Sequence, residues 1–308
     1  MKAVCIHRFG GPEALSVDEL ERPQPGTGEA LVRVLAASVN PVDYKIRSGH
    51  FPVVKQEDLP IELGRDIAGI VELCGPGMTS KTGEEIYALL GADRGGYAEY
   101  VVVKPGEFAP KPKEISFIEA AAIPLAGLTA WQGLFDQGQL TSGQRVLIHG
   151  GAGGVGHLAL QFAKATGAWV ATTVSADDLD FARELGADQV VNYKTQRFEN
   201  EVDPVDLVFD PVAGDTQNRS WAVIKSGGAL VSTLQKPDEE LARRRNVRAL
   251  YYMARPDAAQ LAEIAKLVDE GKVRPHVQST FPLREAANAQ QTLEKEHIRG
   301  KIVLKMDV

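Results

Sequence analysis

The sequence predicts an α/β protein in two parts, a β-rich barrel-like unit followed by a doubly wound parallel sheet. Three observations carry this. The first hundred residues are short apolar runs cut by Gly/Pro turns. From about Ser116, helical patterns alternate with β-branched runs. At one strand-to-helix junction, Gly151, Gly153 and Gly156 are spaced G-x-G-x-x-G.

In the first part Ala30–Ala37, Ile67–Cys74 and Tyr97–Val103 read as strands. Pro23-Gln24-Pro25-Gly26, Gly75-Pro76-Gly77 and Gly95-Gly96 punctuate them, as in a barrel-like β unit. In the second part strands are expected at Arg145–His149, Trp169–Val174, Gln189–Asn192, Leu207–Phe209 and Ala229–Thr233, the βαβ rhythm of a parallel sheet. A further strand over Val247–Met253 would be an apolar sheet edge, which invites pairing with a second copy. Pro256, at a helix N1 position, opens a long helix through Glu270 that Gly271 stops. Lys301–Leu304 returns to strand.

A chain of 308 residues with 44% hydrophobic and 24% charged side chains suits two soluble domains. The net charge of −7 argues against a nucleic-acid surface, which needs clustered Lys and Arg. Arg243-Arg244-Arg245 follows Asp238-Glu239-Glu240 and reads as a solvated helix face. Cys5 and Cys74 form no disulfide framework or metal motif and suit a reducing compartment. No run approaches the ~20 apolar residues of a membrane span, and Met1–His7 reads as a strand. The expected location is therefore the cytoplasm.

The glycine run carries the chemistry. A strand ending at His149 feeds a helix whose apolar positions include Leu158, Leu160, Phe162 and Ala163. The backbone of Gly151, Ala152, Gly153, Gly154, Val155 and Gly156 can then meet a pyrophosphate at a helix N-terminus. The first glycine permits the turn, the second lets phosphate approach, and the third lets the helix lie close on the sheet. In this strand–turn–helix context the motif indicates a dinucleotide site. An NAD site places a carboxylate at the end of the second strand, whereas here that position is Ser175, which can donate to a 2′-phosphate. Tyr193 and Lys194, after the third strand, could flank the same end. Asp177 and Asp178 read as the cap and first turn of the next helix. These residues favour NADPH over NADH.

Several further stretches accompany the glycine loop: Ala37-Ser38-Val39-Asn40-Pro41-Val42-Asp43-Tyr44-Lys45, Leu63-Gly64-Arg65-Asp66-Ile67-Ala68-Gly69, Gly95-Gly96-Tyr97-Ala98-Glu99-Tyr100, Ile123–Trp131, Phe209-Asp210-Pro211-Val212-Ala213-Gly214 and Arg299-Gly300-Lys301-Ile302-Val303-Leu304. With them the chain resembles the medium-chain dehydrogenase/reductase superfamily over nearly its whole length. The resemblance implies a GroES-like catalytic domain over 1–116, completed by 256–308, and a Rossmann domain over 117–255. It places Thr129 toward the nicotinamide and Ala213 in the cofactor site. Where zinc relatives carry Cys, Gly-His-Glu and a later Cys or carboxylate, this chain has Asn40, Arg65-Asp66 and Ala126. Zinc needs three or four soft or nitrogen ligands, so the likeness is to the zinc-free branch of quinone oxidoreductases and alkenal/one oxidoreductases, with no metal expected.

Without a Lewis acid, reduction of a quinone or an activated C=C bond is the easier reaction. Its developing oxyanion needs donors, a task suited to Asn40, Tyr44, Lys45 and Arg65, beside Asp43. Each has a plainer reading. Asn40 and Asp43 can shape the turn, Tyr44 and Lys45 can be surface residues, Arg65 can pair with Asp66 or another carboxylate, and Thr129 can bond its own helix backbone. His149, beneath the glycine loop, reads as a structural or phosphate-side histidine rather than a base. The expected partner is a small quinone or enone, and the expected assembly a homodimer. The competing function is a catalytically weak NADPH-binding redox sensor or structural dimer, and a zinc alcohol dehydrogenase is a distant third.

Overall fold

A computed structural model describes residues 1–306. It divides into two compact units. One comprises Met1–Leu125, Pro256–Glu270 and the chain from Pro275 onward, and the other Ala126–Arg255 with Gly271–Arg274.

The first unit is built on Ala30–Val39, whose residues are almost all buried. This strand pairs antiparallel with Asp66–Cys74, Tyr100–Val103 and Lys301–Lys305. Glu85–Leu89 and Phe108–Pro110 extend the sheet on one side and Val277–Pro282 on the other. A smaller sheet joins Lys2–Ile6 to Leu15–Glu19 and Ile61–Glu62. The register decides what meets at the strand ends. Ser38 faces Asp66 on one neighbour and Val303 on the other, and the Val39–Ile302 pair leaves Lys301 level with Asn40. Pro41–Arg47 then leaves the strand as a helix with proline in its first turn, where the missing N–H costs nothing.

The expected boundary near 116 falls instead after Leu125, because Phe117–Ala121 packs on Ala30–Val39 and Asp66–Cys74. The long helix is Ala258–Asp269. Asp257, not the residue before Pro256, caps it by accepting from the Gln260 N–H. A carboxylate that reaches this donor outcompetes a proline at N1.

The second unit is a six-stranded parallel sheet. Its strands run in the order Gln189–Asn192, Trp169–Val174, Arg145–His149, Val205–Asp210, Ile224–Ser232, Arg248–Tyr251. This is the 3-2-1-4-5-6 order of a Rossmann sheet, whose order reverses between the first and fourth strands, where dinucleotides bind. The expected strands at Arg145–His149, Trp169–Val174 and Gln189–Asn192 appear with those bounds. Arg248–Tyr251 is the edge strand opposite Gln189–Asn192, with Tyr251 and Met253 exposed.

Candidate active site

At the carboxyl end of Arg145–His149 the chain turns through glycine. The residue with left-handed backbone is Gly150, at φ +67°, one position before the first glycine of the spacing. Gly151 is small for a different reason, since a Cβ there would lie 2.1 Å from the Thr172 hydroxyl. Gly156 is small because a Cβ would meet the Gly150 carbonyl at 2.1 Å, which lets the Gly156–Ala165 helix lie against the turn. At Gly153 the nearest atom to a Cβ is 3.4 Å away, so no protein neighbour requires glycine there. The N–H groups of Ala152, Gly154, Val155 and Gly156 have no acceptor among the described residues. A ten-residue helix N-terminus with unpaired donors and an open Gly153 fits a pyrophosphate.

His149 sits under this turn, fully buried. Its Nε2 faces Ser220 Oγ at 2.9 Å, and the Ser220 hydroxyl itself donates to the Thr216 carbonyl, so Nε2 carries the proton. Thr173 Oγ1 accepts from the Gly150 N–H and lies 3.1 Å from Nδ1, to which it donates. Burial, reinforced by Arg219, holds the imidazole neutral with its pKa pulled down to about 3. His149 is a two-ended brace for the loop.

The adenosine end of the Rossmann sheet differs in detail from expectation. Ser175 is buried and its hydroxyl donates to Asp178 Oδ2 at 2.8 Å, so its proton is already engaged. Asp178 turns inward while Asp177 stays exposed. Tyr193 and Lys194 are exposed after the adjoining strand, with Tyr193 N–H bonded to the Val174 carbonyl. Ala213 adopts φ +69°, an unfavourable conformation for a residue with a Cβ. Asp210 imposes it by accepting the N–H groups of Val212 and Ala213 at 3.0 and 2.8 Å. Thr129 is buried, and its carbonyl accepts from the Tyr252 hydroxyl.

In the first unit the register described above gathers a buried ionic cluster. Asp66 Oδ2 accepts from the Ser38 hydroxyl at 2.7 Å and the Asn40 amide at 2.9 Å, and Oδ1 accepts from the Leu125 N–H at 2.7 Å. Lys301 Nζ donates to Asn40 Oδ1 and to the Val39 carbonyl, 3.9 Å from Asp66. Asp43 Oδ2 accepts from the Asn40 N–H and the Tyr97 hydroxyl, both at 2.7 Å, while its Oδ1 is buried without a partner. Burial outweighs those hydrogen bonds and raises the Asp43 pKa to about 6.

The proposed donors therefore divide. Asn40 and Asp43 belong to the cluster. Among the described residues Arg65 pairs with no carboxylate; its Nε and Nη2 both donate to the Leu90 carbonyl, at 2.8 and 2.6 Å. Tyr44 and Lys45 are half-buried on the following helical turn and make no side-chain hydrogen bond among the described residues. Burial and the Glu294 carboxylate raise the Tyr44 pKa, keeping it a donor. Sequence reading missed Lys301, Ser38 and Tyr97 as members of this centre. Only the polar Lys at the head of an apolar strand hinted at the first.

The cluster does not suit zinc. Asp66 already accepts three donors, Asn40 Oδ1 holds an ammonium, and Lys301 would repel a second cation in the same space. Among the described residues no group of three His, Cys, Asp or Glu side chains could hold a metal.

A Rossmann unit with an open phosphate cradle, joined to a β-rich unit of this topology, defines an oxidoreductase of the medium-chain dehydrogenase/reductase type. Known proteins of similar sequence and structure belong to the same class. An "alcohol dehydrogenase GroES-like domain" matches residues 26–113 and a "zinc-binding dehydrogenase" domain residues 185–304. Human mitochondrial NAD(P)H oxidoreductase RTN4IP1 is 35% identical, over 90% of this chain and 81% of its own. The chloroplastic NADPH-dependent alkenal/one oxidoreductase of Arabidopsis thaliana is 33% identical, over 99% and 79%. The Coxiella burnetii quinone oxidoreductase structure superposes with a TM-score of 0.92 at 38% identity, covering 99% of each chain. The chain belongs to the quinone oxidoreductase and alkenal/one oxidoreductase-like family of medium-chain dehydrogenases/reductases.

Proposed function

We propose that the protein is an NADPH-dependent, metal-free reductase of quinones and the C=C bond of α,β-unsaturated carbonyls. One observation carries this. Where a metal-dependent relative would place a Lewis acid, the chain has a self-paired ionic cluster, and the next helical turn presents two unpaired donors, Tyr44 and Lys45. The names of its relatives support the substrate classes and NADPH.

When bound, the cofactor supplies a hydride. The glycine loop holds its pyrophosphate through the free N–H groups of Ala152, Gly154, Val155 and Gly156. Ala213 and Thr129 shape the nicotinamide side, and Lys194 supplies the cation for a 2′-phosphate. As the substrate oxygen gains negative charge, the Tyr44 hydroxyl or Lys45 ammonium donates to it, and solvent replaces the proton.

Tyr44→Phe and Lys45→Met, assayed separately on one quinone and one enone, should lower kcat more than they raise KM. The loss should stay below the ~100-fold of a fully preorganised oxyanion site and should be smaller for the quinone, whose product anion is better stabilised. Full kcat in both variants on both substrates overturns the donor assignment. NADPH binding without turnover across a panel of quinones and enones would instead identify a redox sensor.

A further inference from the structure

We propose that Lys301 is a positioning residue of the reductase, whose ammonium clamps Asn40 and so fixes the start of the Pro41–Arg47 helix that carries Tyr44. Lys301 belongs to the far end of the chain, yet it is 4% exposed and its strand delivers it level with Asn40. Its contacts are specific. Nζ holds the Asn40 side-chain oxygen and the carbonyl of Val39, the last residue of the central strand, and faces Asp66 at 3.9 Å.

Asn40 is thereby gripped from three sides. Its oxygen is on Lys301, its amide on Asp66 at 2.9 Å and its backbone N–H on Asp43 at 2.7 Å. Asparagine at a helix N-cap ordinarily turns its side chain onto the helix's own N–H groups, but here that side chain is drawn away and makes no cap bond. The helix is seven residues long, too short to hold its own geometry. Its orientation depends on external ties, and among the described residues Lys301 is the only cation bonded to its cap. Asp43 and Tyr44 are consecutive in its first turns, so a shift of the cap moves Tyr44 directly. The inference rests on the reading of Tyr44 as a donor.

The test combines Lys301→Met with Tyr44→Phe. Lys301→Met alone should keep NADPH affinity and KM near the parent values and lower kcat about tenfold. In the Tyr44→Phe background the same substitution should change kcat less than about twofold, since residues acting through one group are non-additive. Full kcat in Lys301→Met, or an equal loss in both backgrounds, overturns the proposal.

Removing one partner of a buried pair can prevent folding, whereas removing both is tolerated better. The double variant Asp66→Asn with Lys301→Met therefore provides a second arm. It should fold and stay slow, because Asn40 remains unclamped; parent kcat would mean that Lys301 only neutralises Asp66. Failure of the underlying reading looks different, as Tyr44→Phe alone would then retain full kcat.

Discussion

Two places in this molecule have the same local plan and opposite finish. At each a central strand ends and a helix begins, Arg145–His149 running into Gly156–Ala165 and Ala30–Val39 into Pro41–Arg47. In the Rossmann unit the junction is left open, with four N–H groups unpaired and nothing crowding Gly153. In the β-rich unit the junction is closed on itself by Lys301, Asp66, Asp43, Ser38 and Tyr97. A junction built for a ligand shows vacant donors; one built to orient its neighbours shows them filled.

The buried ionisable groups beneath the two junctions make the contrast measurable, because their linkages have opposite sign. His149 is neutral in the folded protein, its pKa lowered from 6.5 to about 3. The unfolded chain binds the extra proton first, so its contribution is complete above 6.5 and is lost as pH falls from there toward 3. The full span is on the order of 5 kcal/mol. Asp43 is the reverse, raised from 3.8 to about 6. The folded state holds that proton longer, so the contribution is complete below 3.8 and is lost as pH rises through 6, a span of roughly 3 kcal/mol. Urea unfolding at several pH values should show His149→Gln flattening the decline on the acid side. Asp43→Asn should be more stable than the parent at pH 8 and match it near pH 4. Parallel pH profiles for parent and both variants would contradict the burial argument.

The open junction should be sensitive to charge without being sensitive to volume. Gly153→Asp should leave the fold intact and weaken NADPH on the order of 100-fold, since a carboxylate would oppose the pyrophosphate at short range. Gly156→Ala should do the converse and damage folding, its Cβ landing 2.1 Å from the Gly150 carbonyl. Unchanged affinity of Gly153→Asp in a fluorescence titration would remove the loop from the site.

The same contrast explains what could be read from sequence. The open junction is local: six consecutive residues carry it, and β-branched runs bounded the neighbouring strands to the residue. Even there, the left-handed turn fell on Gly150, because Gly151 is fixed by its closeness to Thr172, a contact no spacing reports. The closed junction joins positions 38, 40, 43, 66, 97 and 301 through strand register. Its individual residue types were visible, but their meeting was not. Arg65 shows the limit plainly. Its neighbour Asp66 suggested an ion pair, and the strand geometry gave it the Leu90 carbonyl instead.

Cofactor choice gives a smaller effect at the edge of the open region. Ser175 is bonded to Asp178, which leaves Lys194 as an exposed cation at that end of the Rossmann sheet. Lys194→Ala should weaken NADPH roughly three- to tenfold and leave NADH unchanged, an exposed charge contact being worth about 1 kcal/mol. Equal losses for both cofactors would mean that Lys194 does not meet the 2′-phosphate.

The smallest expected effect is none at all, and it bears on the closed region. Residues 185–304 match a zinc-binding dehydrogenase family, so prolonged chelation tests the closed region directly. At a zinc site, removing metal strips the folded protein of a large binding free energy and lowers its melting temperature. Here Asp66 is saturated by Ser38, Asn40 and Leu125, and the Lys301 ammonium stands beside it. A divalent ion could enter only by displacing that ammonium and breaking the Asn40 bond. Treatment with EDTA or phenanthroline should therefore leave both turnover and thermal unfolding as they were. Stoichiometric zinc in the purified protein, with activity lost on its removal, would show that the closed junction opens to a metal and would end the contrast between the two regions.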